Sequence, residues 1–96
     1  MANAVLQGAC LREADMSGTV LDGTILTRAG LRKTNLRGAG LRDAQLDGAD
    51  LRGTRLGSAL LVEASLRDAD LRGAYLRLAK LAGTDLSDGI SRALKA

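Results

Sequence analysis

Residues 46–56 read Leu46-Asp47-Gly48-Ala49-Asp50-Leu51-Arg52-Gly53-Thr54-Arg55-Leu56, and leucine returns in them at every fifth position. The spacing runs unbroken through Leu6, Leu11, Met16, Leu21, Leu26, Leu31, Leu36 and Leu41 on one side of this stretch, and through Leu61, Leu66, Leu71, Leu76, Leu81 and Leu86 on the other. Two residues before each of these seventeen positions stands a small residue, twelve alanines and five threonines in all. Two residues after them glycine recurs, at Gly8, Gly18, Gly23, Gly38, Gly48, Gly53, Gly73 and Gly83, while the slots in between carry the charges.

No regular helix uses this pattern. Five residues of α-helix advance about 500°, a net rotation of about 140°, which would scatter the leucines around the whole circumference. A flat strand also fails. Residues two apart share a face, so the small residue and its leucine point inward together, but the next small residue comes three later and breaks the alternation. The chain therefore turns once per repeat, and Gly, Asp, Ser, Lys and Arg in the slot two past the leucine suit tight external turns. Regular turning winds the chain into a coil, and stacked coils about 4.8 Å apart bury continuous columns of Leu and of Ala or Thr.

Composition agrees with a narrow interior. Of 96 residues, 46% are hydrophobic, yet Tyr75 is the sole aromatic and there is no Phe, Trp, His or Pro. A small residue beside each leucine is what a tube filled from all sides tolerates, since a second large side chain would overpack it. The absence of histidine removes the Ser/His and Cys/His dyads and the common zinc sites, so neither a catalytic residue, a metal site nor a cofactor is expected. A single cysteine, Cys10, cannot form an intramolecular disulfide and fits a reducing compartment. Met1 to Leu11 lack the basic and apolar regions of a signal peptide, and no apolar run is long enough to span a membrane, so the chain reads as soluble and cytoplasmic.

Runs such as Ala49-Asp50-Leu51-Arg52-Gly53, Ala69-Asp70-Leu71-Arg72-Gly73 and Thr84-Asp85-Leu86 resemble the A(D/N)LXX unit of the pentapeptide-repeat family, and the resemblance covers residues 4–86. It implies an all-β fold: a right-handed quadrilateral parallel β-helix, a solenoid with four repeats per coil in which residues twenty apart stack. Period five alone leaves three sides open beside four. Steps of twenty from Arg12 collect Arg32, Arg52 and Arg72, whereas steps of fifteen meet Thr27, Arg42 and Gly57, which favours four. Seventeen repeats then make slightly more than four coils over residues 1–86. After Leu86 the register fails, and residues 87–96 read as a short helical cap, with Ser87 or Asp88 as N-cap and Ile90 and Leu94 on one face. The first coil has no counterpart, which leaves Leu6, Leu11, Met16 and Leu21 without a plug beside an open edge.

With the interior taken up by the fold, function falls to the outer slots. One candidate is the anion-facing column Arg12, Arg32, Arg52 and Arg72, whose neighbours include Asp50 and Asp70, with Arg37, Arg55 and Arg77 on the next side. A second is the set of apolar residues out of register, Leu60, Val62, Leu78 and Ala82, which suits a homodimer contact, another partner protein or a seat for the cap. Val5, Val20 and Ile25 form a weaker set near the open end. Gly38-Ala39-Gly40-Leu41-Arg42-Asp43 only begins like a dinucleotide loop, and no βαβ unit surrounds it. The expected function is thus a non-enzymatic structural or protein-interaction module, self-associating through the uncapped first coil or the Leu60/Val62 face. The resemblance also offers an alternative, a DNA mimic acting on a type II topoisomerase such as DNA gyrase. Such a mimic needs dense negative charge, and 14 basic against 11 acidic residues argue against it. The lack of stacking aromatics argues against nucleic-acid binding.

Overall fold

Each repeat closes on a β-turn that begins at the core leucine. In the computed structural model, which describes residues 3–85, the Leu6 carbonyl accepts the Ala9 N–H at 2.9 Å, and the same bond recurs from Leu26 to Ala29 at 3.0 Å and from Leu66 to Ala69 at 3.1 Å. The third residue of every turn has positive φ, between 58° and 71°, which is the signature of a type II turn. Glycine occupies that position in eight of the turns, and residues as different as Glu13, Lys33 and Leu78 occupy it in others.

Four such turns make one coil, because every bridge joins residues twenty apart and runs parallel. The first side stacks Val5, Ile25, Gln45, Ser65 and Asp85; the second Cys10, Gly30, Asp50 and Asp70; the third Asp15, Asn35, Arg55 and Tyr75; the fourth Val20, Gly40, Leu60 and Lys80. Sides this short do not make continuous strands: among the described residues the pairing consists of isolated bridges, one residue per side. Backbone bonds still knit the coils densely. Leu26 N–H donates to the Gln45 carbonyl at 2.7 Å, Arg28 N–H to Asp47 at 2.9 Å, and Ile25 N–H reaches back to Ala4 at 2.9 Å.

Inside, Leu21 through Leu71 at five-residue intervals are at most 1% exposed, with Ala29, Ala39, Ala44, Ala49, Ala59, Ala64, Ala69 and Ala74 between them. Thr24, Thr34 and Thr54 are equally buried. The hydroxyls of Thr34 and Thr54 donate to the carbonyls of Leu11 and Leu31 in the preceding coil, both at 2.7 Å, which is why a polar group is tolerated there. Leu6, Leu11, Met16, Leu76 and Leu81 are half-buried at the two ends of this core. Leu21 departs from the sequence expectation of an unplugged residue. It is fully buried, because the chain at Asn3 and Ala4 already lies across its side of the coil, with Asn3 N–H donating to Asp22 at 2.9 Å. Leu86 and the segment 87–96 read as a cap lie outside the described residues.

Candidate functional site

In the central coils the repeat leaves one backbone donor per unit without a ladder partner among the described residues, the N–H of the residue just after the leucine. A carboxylate or amide just before the leucine meets it: Oδ1 of Asp15, Asn35, Asp50 and Asp70 accepts the N–H of Ser17, Arg37, Arg52 and Arg72 respectively, each at 3.2 Å. This accounts physically for the acidic or amide slot of the repeat. Asp22 and Asp47 reach the equivalent donors one coil further on, Arg42 N–H at 3.1 Å and Arg67 N–H at 3.0 Å.

On the second side the arginine column divides into two halves. Arg72 holds Asp70 through Nε at 3.0 Å and Nη2 at 2.7 Å, and Arg52 holds Asp50 in the same two-pronged way at 2.8 and 2.7 Å while its Nε lies 3.8 Å from Asp70. These forks depress both carboxyls. Hydrogen bonding from Arg72 holds Asp70 at a pKa of about 2, and hydrogen bonding from Arg52 lowers Asp50, in each case against the opposing effect of partial burial. Arg12 and Arg32 have no carboxylate within ion-pair distance among the described residues, so the column presents free charge only in its first two coils.

The apolar candidates are not one cluster. Leu60 and Val62 are half-buried on the fourth side, and Ala82 is exposed one coil beyond Val62. Leu78 stands apart from them on the corner of the third side, 77% exposed. There it lines a groove of about 720 Å³ together with Arg37, Arg55, Gly57, Tyr75 and Arg77. Sequence reasoning placed the three arginines on this side without finding the groove, although the twenty-residue series Arg37, Gly57, Arg77 carries the signal.

In the first described coil, Val5 and Val20 are exposed, and the N–H groups of Val5, Cys10, Asp15 and Val20 have no acceptor among the described residues. Cys10 is an exposed free thiol. Among the described residues no group of three or more His, Cys, Asp or Glu side chains could hold a metal ion, and no helix is long and apolar enough to cross a membrane.

Comparison with known proteins agrees with this geometry. The family model described as pentapeptide repeats matches in eight copies, over residues 1–38, 14–53 and 49–88. Among solved structures the chain is similar to the pentapeptide repeat protein Rfr23 of the cyanobacterium Cyanothece 51142, with 36% identity, a TM-score of 0.88 and coverage of 88% of this chain and 58% of that one. It is similar as well to alr5209 of Nostoc PCC 7120, a pentapeptide repeat protein, at 39% identity and a TM-score of 0.77, covering 78% of this chain and 62% of the other. A pentapeptide repeat protein of the Arabidopsis thaliana thylakoid lumen matches at 25% identity and a TM-score of 0.54, over 95% of this chain and 71% of that one. The chain thus spans less than two thirds of the length of either cyanobacterial protein. Comparison with curated proteins gives no match.

Proposed function

This chain belongs to the pentapeptide-repeat family, and on that premise we propose that it is a non-enzymatic structural and interaction module whose sides engage another protein or a second copy of itself. The observation that carries the reading is the division of labour between inside and outside. Every inward slot from Leu21 to Ala74 holds Leu, Ala or Thr at full burial, which leaves chemistry only on rigid outer sides. Those sides present the exposed apolar residues Val5, Val20, Tyr75 and Leu78. The family supports the right-handed winding, whereas the domain boundary at residue 86 and a cytoplasmic setting are proposed from the sequence pattern alone.

Self-association has two candidate surfaces, the open first coil and the Leu60/Val62 side with Ala82. An unpaired edge invites backbone pairing with another edge. DNA mimicry draws no support from the surface, where Arg37, Arg55 and Arg77 face solvent without carboxylate partners among the described residues. Light scattering on the wild type beside Leu60→Glu and Leu11→Lys tests self-association. A dimer broken only by Leu60→Glu places the contact on the fourth side, and one broken only by Leu11→Lys places it at the open coil. A monomer in every case removes the self-association reading.

A further inference from the structure

The third side carries an uncompensated positive groove built around a missing side chain. Arg37, Gly57 and Arg77 occupy one slot in three successive coils, so two arginines flank the glycine from above and below at the coil spacing of about 4.8 Å. Gly57 is not among the left-handed residues, and a Cβ there would meet only Arg77 O at 3.6 Å and Arg37 Cγ at 3.9 Å, both ordinary contacts. Neither backbone conformation nor crowding demands glycine at this position. Its effect is to leave a gap between the two arginine stems.

Charge and apolar surface meet at that gap. Arg55 stands beside it in the bridge column, between Asn35 and Tyr75. On the second side Asp50 and Asp70 neutralise their arginines, but here the same slot holds Asn35, Arg55 and Tyr75, and none of the three guanidiniums has a carboxylate partner among the described residues. The chain's only aromatic residue, Tyr75, is 56% exposed at the groove. Next to it Leu78 is held at φ 65°, a left-handed conformation that disfavours a branched side chain, and it packs little of that side chain into the protein. Eight other non-glycine residues share a left-handed φ, so what sets Leu78 apart is its 77% exposure: an apolar side chain that buries little in the protein keeps its surface for a partner.

We infer that this groove binds an acidic segment of a partner protein, in which one apolar side chain enters the gap over Gly57 against Tyr75 and Leu78 while carboxylates on either side pair with Arg37 and Arg77. The inference rests on the interaction-module reading and names its partner by chemistry. Guanidinium groups take carboxylates in two-pronged pairs, as Arg52 and Arg72 do within this molecule. In an extended segment the residues two before and two after the apolar one share its face and lie about 13 Å apart, while Arg37 and Arg77, two coils from each other, are rooted about 9.6 Å apart, a difference that long arginine side chains can span. A lone phosphate would leave Tyr75 and Leu78 unused. Duplex DNA would offer phosphates but no apolar side chain to enter the gap over Gly57.

The test is fluorescence anisotropy at low ionic strength with a labelled peptide, Glu-Asp-Ala-Leu-Ala-Asp-Glu, against wild-type protein. Expected is saturable binding that raised salt weakens, and that falls about tenfold or more in the double variant Arg37→Glu/Arg77→Glu. Leu78→Gly and the gap-filling Gly57→Gln weaken it several-fold, whereas Arg28→Glu, exposed on a different corner, leaves it unchanged. Circular dichroism establishes that each variant is folded, and Gly57→Gln probes the gap without removing a charge. Absence of saturable binding by folded wild type overturns the inference, as does tighter binding of a short DNA duplex, of inorganic phosphate, or of the peptide with alanine in place of its leucine. Loss of peptide binding alongside an association that Leu60→Glu still breaks would sink the acidic-segment inference alone. A protein that neither associates in light scattering nor binds the peptide fails both readings.

Discussion

At the position two past each leucine, one backbone angle sets what a substitution does. Gly73 sits at φ 71°, so Gly73→Val forces a β-branched side chain into the left-handed region, with an expected loss of about 1–2 kcal/mol in urea unfolding. Leu78→Gly runs the other way: relief of about 1 kcal/mol of left-handed strain offsets the greater freedom of glycine in the unfolded chain. Its midpoint should therefore match or exceed that of the wild type. Protonation is also decided residue by residue. Arg72 holds Asp70 near a pKa of 2 against an ordinary 3.8, so the favourable contribution is complete above the ordinary value and disappears as pH falls through the folded one. Stability should drop as pH is lowered from 3.8 toward 2, and less so in Asp70→Asn. With the Asp70 side chain one third exposed, the pair contributes about 0–1 kcal/mol.

The coil is the unit in which these turns cooperate, and amide exchange should reveal its construction. Leu46, Ala49 and Asp50 donate their N–H groups to carbonyls in central coils, and they should exchange slowly. The amides of Arg12, Thr27 and Arg32 follow a core leucine, donate to no acceptor among the described residues, and should exchange fast, at Thr27 and Arg32 even beside fully buried leucines. Arg37, Arg52 and Arg72 occupy the same slot but are met by a side-chain oxygen, and they should fall between. Uniformly slow exchange at this slot would contradict the ladder. At this scale much was legible in advance: the leucine spacing gave the core column, the small slot beside it gave the corner, and the recurring glycine marked the turn. The hydroxyl bonds of Thr34 and Thr54 were not, because each acceptor lies twenty-three residues back and becomes a neighbour only after coils stack. The groove escaped for a similar reason. A local pattern shows which side chains are present, whereas a gap exists only between the coils that flank it.

Across the molecule, stability comes from the uninterrupted leucine column and is weakest where the column ends. Leu51 is fully buried among leucines and alanines, so Leu51→Asp strands a carboxylate in an apolar tube and should abolish folding, read as loss of the β-type circular dichroism signal. Arg52→Ala loses only a surface ion pair with Asp50 and should cost within about 1 kcal/mol by urea titration. Leu6, Leu11 and Met16 of the first described coil are only half-buried, and there the column is least covered. The sequence marked that end as open but set its boundary one repeat too far, at Leu21, because the contribution of residues as near the terminus as Asn3 lies outside the repeat pattern.

The register of twenty residues, made of four interchangeable fives, separates what the interior requires from what the exterior says. Removing one five-residue unit, such as Leu56 to Leu60, would present the core with the same leucine and the same small neighbour, yet it would set everything downstream back by a quarter turn. Arg77 would then stack over Arg52, and Tyr75 over Asp50. Such a chain is a combination lock: each click of one repeat leaves the barrel intact and scrambles the columns, and only clicks in fours restore them. Lineages of such repeats are therefore free to lengthen in steps of five while folding, but must lengthen in steps of twenty to keep a surface that another molecule has learned to recognise.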